Sequence, residues 1–348
     1  MGSMQAITFH SFGGPLTLAT VADPTPPPHG VVIAVEASGL CRSDWHGWQG
    51  HDPDIVSMPH VPGHELAGRV VAVGREVRRW KGGERVTTPF VCGCGTCPTC
   101  RRGDHQVCDR QTQPGFTHWG SFAEFVAIHH ADVNLVALPE TIDSVTAASL
   151  GCRFATSFRA VIDQGRVREG EWVAIHGMGG VGLSALMIAK AMGARVIAVD
   201  IDASTLTRSR ELGAEVALDG REGNVALAIR DRTGGGADLS IDALGSTNTA
   251  INSIECLRKN GRHVQIGLLV GGDHRPALPM EQVIARELEL IGSHGMAAHG
   301  YPRMLQLIAS GQLAPQELIA RTVALGDIVT ELPLLAGRSA AGMVVARI

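Results

Sequence analysis

The chain has 348 residues, 45% apolar and 18% charged, and a formal net charge of −4 from 30 Lys and Arg against 34 Asp and Glu. That length and composition predict two domains with a large core and exclude a disordered chain. No basic tract offers itself to nucleic acid or an anionic membrane, no apolar run reaches 18 residues, and no leader pattern opens the sequence. The expectation is a cytoplasmic protein.

Met1-Gly2-Ser3 reads as an expression remnant ahead of Met4. Short strands punctuated by Gly and Pro are predicted at Gln5–Phe9, Gly30–Ala37, Glu65–Val73 and Arg85–Thr88. Pro24-Thr25-Pro26-Pro27-Pro28 is an extended connector. Together they suit an irregular β-barrel-like domain. Within it lie Cys41-Arg42-Ser43-Asp44-Trp45-His46 and Gly63-His64-Glu65, with Gly151-Cys152 at its far end. Two thiolates and an imidazole from Cys41, His64 and Cys152 would make a zinc site with one position open, the arrangement of a catalytic metal. Each also has a plainer role, the cysteines as small core residues and His64 as a hydrogen-bonded loop histidine.

Eight cysteines in a long chain favour metal or catalytic roles over disulfides. Cys94, Cys97, Cys100 and Cys108 crowd into a Gly-, Pro- and Arg-containing loop, at a spacing that can wrap one tetrahedral structural zinc. Cys92 is read as a bystander and Cys256 as core.

From Cys152 onward strands alternate with helices. Strands are predicted at Trp172–His176, Arg195–Val199, Leu239–Ala243, His263–Leu268 and Leu288–Ile291, and helices at Leu183–Met192, Thr205–Leu212, Asn224–Thr233 and Thr249–Leu257. That repetition implies a doubly wound parallel sheet. Its first turn holds Gly177, Gly179 and Gly182 in the G-x-G-x-x-G pattern, with Gly180 and Val181 opening the helix and Asp200 18 residues after the last glycine. This is a dinucleotide-binding signature in which the helix N-terminus faces the pyrophosphate. Asp200 would accept bonds from ribose hydroxyls and repel a 2′-phosphate, which favours NAD over NADP. The tail holds a helix at Tyr301–Ala309 and a strand at Met343–Ala346 and returns to the first domain.

These motifs, in this order and over essentially the whole chain, resemble the zinc-dependent medium-chain alcohol dehydrogenase family. The resemblance implies a GroES-like irregular β-barrel catalytic domain, residues 1–153 and 294–348, and a Rossmann NAD-binding domain, residues 154–293. It implies two zinc ions per chain, a catalytic one on Cys41, His64 and Cys152 and a structural one on the other four cysteines. It places Glu65 close to the metal, Asp44 behind the ligand histidine, and Ser43 and His46 in a proton relay. Arg42 falls where some members contact the pyrophosphate, and Thr156, Ile266 and Leu268 fall beside the nicotinamide. Phe90, Trp48, Trp119 and His294 match pocket-lining segments. Many relatives carry Arg after the last strand's glycine, whereas here Met343 follows Gly342, so more weight falls on Arg42. The implied activity is reversible hydride transfer between an alcohol and NAD, in an enzyme that is often a tetramer among compact microbial members. A polyol or aromatic-alcohol dehydrogenase and a non-catalytic nucleotide-binding descendant are the competing readings.

Overall fold

The structure, a computed structural model, describes residues 2–337 and 342–348; Met1 and residues 338–341, which the sequence reading assigns to the first domain, lie outside the described residues. The chain forms two compact units. The first runs to Ala155, resumes at Gly295 and takes in the closing strand from Met343, while the second comprises Thr156–His294 with Gly342.

In the first unit, β1 (Ser3–Thr8) and β2 (Thr17–Ala22) pair antiparallel. The main sheet is built on β3 (Val31–Leu40), β4 (Glu65–Val73), β5 (Arg85–Thr87), β6 (Phe125–Ile128) and β7 (Val136–Ala137). Helix α1 (Arg42–Trp48) follows β3 directly. Alternation along β3 sends Val31, Ile33 and Val35 into a core with Leu66, Val70, Val86, Val126 and Ile128. At its end, Leu40 joins a second cluster with Ile7, Phe9, Phe116, Phe122 and Val344.

The second unit carries β8 (Trp172–His176), β9 (Arg195–Asp200), β10 (Val216–Asp219), β11 (Ala237–Asp242), β12 (Leu257–Gln265) and β13 (Glu289–Gly292). Between them run α2 (Gly180–Ala191), α3 (Ala203–Glu211), α4 (Val225–Thr233), α5 (Thr247–Glu255) and α6 (Met280–Arg286). The sheet order is β10-β9-β8-β11-β12-β13 and every pairing is parallel. That is the doubly wound order with its switch point between β8 and β11, and β8 and β9 are nearly continuous buried apolar runs, as a sheet covered on both faces requires.

Several expected boundaries move by a few residues, and two of the shifts lie at the ends of β12. Helix α5 stops at Glu255 and β12 begins at Leu257, inside the span expected to be helical. At the other end β12 stops at Gln265, because the Ile266 and Gly267 N–H groups both turn to the Asp242 carbonyl, at 3.0 and 2.9 Å. Strands β2 and β10 have no counterpart in the sequence reading, and both are edge strands that lack a fully buried face.

The chain returns through α7 (Tyr301–Ala309) to β14 (Ile319–Ala324) and β15 (Met343–Arg347). The main sheet of the first unit then reads β14-β15-β3-β4-β5-β7, with β6 also on β3. Among the described residues no helix is long and apolar enough to cross a membrane.

Candidate metal centre and coenzyme turn

Three pieces of the first unit bring the ligand set together. Cys41 caps α1, His64 and Glu65 open β4, and Cys152 comes from a π-turn, Leu150–Phe154, inside a longer helical stretch. The ligand atoms of Cys41, His64, Glu65 and Cys152 all lie within 4.8 Å of one another. Asp44 ties the pieces: its carboxylate accepts from Cys41 N at 3.0 Å, Gly63 N at 3.1 Å and His64 Nδ1 at 2.7 Å. Because an ionised carboxylate only accepts, His64 carries its proton on Nδ1 and leaves a lone pair on Nε2. That Nε2 is buried and has no hydrogen-bond partner.

The π-turn is part of the design. Such turns leave a carbonyl without its helical partner, and here Gly151 O accepts from Phe90 N at 3.1 Å and from the hydroxyl of Tyr301 at 3.3 Å. Tyr301, the chain's single tyrosine, is fully buried.

Glu65 is fully buried and lies over Gly39, where an added Cβ would meet its Oε2 at 2.1 Å. Arg153, the residue after Cys152, holds the carboxylate from two sides: Nε and the backbone N–H reach Oε1 at 3.0 and 3.2 Å, and Nη2 reaches Oε2 at 2.5 Å. Burial pushes the Glu65 carboxyl upward and the Arg153 charge opposes it.

The electrostatics of the thiols fit a cation. The hydrogen bond from Cys152 brings Cys41 well below the ordinary thiol value, while the same contact and burial raise Cys152 well above it. Two packed thiols cannot both ionise without a positive charge between them. For His64, burial disfavours the charged ring, but the Asp44 carboxylate outweighs it and the net shift is upward. An orphaned imidazole nitrogen beside two thiols is a soft Cys₂His donor set with a carboxylate at its edge, and it suits zinc.

Phe90 and Phe116 stand edge-on to the His64 ring at 6.2 and 5.4 Å between centroids. Ser43 Oγ lies 3.7 Å from Cys41 Sγ, and His46 sits on the last turn of α1. Arg42 is exposed, its guanidinium 6.0 Å from the Trp45 ring. The remaining pocket candidates are placed as follows. Trp48 belongs to the cluster around Phe9 and Leu40, and its indole N–H donates to Gly14 O at 2.9 Å. Trp119 packs on Met4, Ala6, Val61 and Ala123 and donates to Pro59 O at 3.0 Å. His294 is exposed past the end of β13 in the second unit. Met343 opens β15 and is buried.

The second cysteine set is also assembled. Cys94, Cys97, Cys100 and Cys108 are buried with their sulfurs within 4.8 Å. Backbone N–H groups of Cys97, Cys100 and Arg110 point at sulfurs, at 3.3, 3.4 and 3.2 Å. Burial raises Cys94, but donors from Thr96 and Cys97 bring it down to about 5, while burial and neighbouring thiols push Cys100 to about 12. This too is a donor set that could hold a cation. Cys92 belongs to neither set, and burial raises it to about 12.

In the second unit the glycine turn links β8 to α2. Gly177 has φ +90°, and a Cβ there would meet Leu244 Cβ at 2.9 Å. A Cβ on Gly182 would lie 1.9 Å from Gly177 O, so helix and strand approach more closely than any side chain permits. A Cβ on Gly179 would meet nothing within 4 Å: that position opens outward. Gly179 caps α2 with no side-chain acceptor, leaving the N–H groups around Gly180 and Val181 for a ligand. Asp200 ends β9 beside the turn and accepts from Met178 N at 2.6 Å. Thr156 is buried, while Ile266 and Leu268 flank Gly267 beyond the strand, Leu268 being 66% exposed.

Sequence reasoning missed Arg153, Phe116 and Tyr301. Arg153 had a signal, since a positive charge in the apolar run after Cys152 and a negative one in the apolar strand after His64 imply each other. The phenylalanine and tyrosine carried none.

The chain matches a family profile described as an alcohol dehydrogenase GroES-like domain over residues 27–140, and one described as a zinc-binding dehydrogenase over residues 180–310. It is 32% identical over 314 residues to an alcohol dehydrogenase of Rhizobium meliloti (strain 1021), covering 90% of each chain. It is 35% identical over 270 residues to one of Moraxella sp. (strain TAE123), covering 77% of this chain and 78% of that one. The solved structure of an alcohol dehydrogenase from Thermus sp. ATN1 superposes with a TM-score of 0.90 at 29% identity, covering 99% of both chains. With both profiles and full-length relatives agreeing with the two cysteine sets and the glycine turn, the chain belongs to the zinc-dependent medium-chain alcohol dehydrogenase family.

Proposed function

We propose that the protein is an NAD-dependent alcohol dehydrogenase carrying two zinc ions per chain, which interconverts a hydrophobic alcohol with its aldehyde or ketone. The observation that carries the reading is the His64 ring, bound at Nδ1 to Asp44 and orphaned at Nε2 beside Cys41 and Cys152. Those three residues would hold the catalytic zinc, which supplies Lewis acidity toward an alcohol or carbonyl oxygen. Cys94, Cys97, Cys100 and Cys108 would hold the second, structural zinc. The nicotinamide supplies the hydride acceptor.

The chain's own residues do the rest. Asp44 fixes the tautomer of His64 and holds α1 against β4. Ser43 takes the hydroxyl proton as the carbonyl forms, and His46 carries it away. Phe90 and Phe116 give the site an apolar wall, which favours a hydrophobic substrate. Arg153 keeps Glu65 paired beside the metal ligands. The Gly177–Gly182 turn takes the pyrophosphate, and Asp200 takes the ribose hydroxyls. Thr156, Ile266 and Leu268 seat the nicotinamide.

The chain is further read as a homo-oligomer. Strand β13 ends its sheet with an unpaired edge, α6 has no buried residue, and Ile284 and Met280 are 76% and 49% exposed. Eight unpaired cysteines, six of them in the two metal groups, suit the reducing cytoplasm.

A panel of primary, secondary and aromatic alcohols assayed with NAD and with NADP, alongside zinc analysis, tests the reading. The expected outcome is turnover preferring NAD, with two zinc ions per chain. No turnover in zinc-replete protein would leave a nucleotide-binding descendant as the better account.

A further inference from the structure

Beyond Trp48, Gly50 at φ +78° turns the chain so that His51 comes back over the last turn of α1. There the backbone N–H of His51 donates to the His46 carbonyl at 3.0 Å. The side chains meet nitrogen to nitrogen, His46 Nδ1 to His51 Nδ1, also at 3.0 Å. Trp45 stands edge-on against both rings, 4.9 Å from His46 and 5.6 Å from His51. His46 is half-buried and His51 exposed.

A contact of that length between two ring nitrogens has room for one proton, so one nitrogen donates and the other accepts. Neutral rings must therefore take opposite tautomers. Two imidazolium rings would set N–H against N–H, so the pair holds a single extra proton. The groups facing His46 are Arg42 and Cys41 from its own helix and cap, and His51 from the turn that follows. Burial first, then Arg42 and His51, pull His46 below the ordinary histidine value, with Cys41 opposing. The 3.0 Å contact gives a proton on the inner ring a direct path to the exposed outer one.

We propose that His51 is the outlet of the proton relay, a positioning residue that receives the proton leaving His46 and passes it to solvent. The inference rests on the alcohol dehydrogenase reading above. In alcohol oxidation His46 Nε2 gains a proton, the Nδ1 proton of His46 moves to Nδ1 of His51, and the Nε2 proton of His51 goes to water. One O–H bond breaks at the hydroxyl that supplies the proton and one forms on water, and N–H bonds alone change in between. Both rings end neutral in exchanged tautomers that proton exchange of the exposed His51 with solvent resets, with no change of redox state. The reverse order serves carbonyl reduction.

The test compares the zinc-loaded wild-type protein with His51→Gln in alcohol oxidation across about pH 6–9, in H2O and D2O, with and without added imidazole. A lost proton acceptor at the relay's end is expected to lower kcat roughly three- to tenfold, below the full worth of a general base. The loss should be largest at the acid end, where hydroxide cannot replace the acceptor. The solvent isotope effect should rise and imidazole should restore the rate, while zinc content, NADH affinity and thermal midpoint stay at wild-type values. An unchanged pH profile in the variant overturns the proposal, and so does a loss that imidazole does not restore. If the wild type itself oxidises no alcohol, the underlying reading fails, and the control shows this separately.

Discussion

At the scale of single residues, the pairing of Glu65 with Arg153 governs the cost of changing either. Both are buried, and the guanidinium satisfies both carboxylate oxygens. Arg153→Gln strands a buried carboxylate, and breaking such a pair from one side costs about 3–5 kcal/mol. The expected result is a drop of that order in denaturation free energy for zinc-loaded protein, with the double variant Glu65→Gln, Arg153→Gln recovering much of it. A single variant as stable as wild type would mean the pair is not what holds Glu65. The same residues show what a sequence discloses at this scale. Cys41, His64 and Cys152 are legible because metal chemistry restricts residue type. Arg153, Phe116 and His51 act through partners 88, 52 and 5 positions away, and only the fold reveals those distances as contacts.

Single elements are specified by local chemistry where a ligand or a cap constrains the backbone. The turn from β8 to α2 was legible because its three glycines perform different steric tasks, and those tasks separate in experiment. Gly182→Ala forces a methyl against Gly177 O. Overpacking of this kind costs about 1–3 kcal/mol, so both the thermal midpoint and NADH affinity should fall. Gly179→Ala meets nothing within the protein. It should leave the midpoint unchanged while weakening NADH binding in a fluorescence titration; unaltered binding would remove the pyrophosphate from that position. Other elements stayed hidden for physical reasons. The edge strands β2 and β10 lack the buried face that writes a period-2 pattern. The π-turn at Leu150–Phe154 depends on distant groups, Phe90 and Tyr301, to take its loose carbonyl.

For the whole molecule, acid sensitivity follows from a histidine buried neutral in the second unit. Burial, then the charge of His263, lowers His176 to about 3. Above about pH 6.5 the ring is neutral whether folded or unfolded, and its contribution is fully present. As pH falls from there toward about 3, only the unfolded chain gains the proton, and stability is lost at ~1.4 kcal/mol per pH unit. Urea unfolding of His176→Gln with zinc in excess should therefore fall less steeply with acidification than the wild type, by close to one proton; parallel slopes would sink the assignment. The sequence changes texture near Cys152, and the structure divides into two compact units after Ala155; the tail's return was inferred from its lack of a nucleotide signature. Its exact seat, with β15 pairing antiparallel to β3, was not, because strand pairing is set by packing on both sides of the strand. That seat has a consequence for synthesis. On one side of the central strand β3 lies β4, and the other side is shared between β6, on Val31–Ala34, and β15, on Ala37–Leu40, so only the second half of that edge waits while residues 41–342 are translated. At about 5–20 residues per second the delay is on the order of 15–60 s. Through that interval the backbone of Ala37–Leu40 keeps one open side next to a half-strand, Val31–Ala34, that β6 has already closed, and this short unpaired edge is what a ribosome-associated holdase would have to cover until β15 emerges.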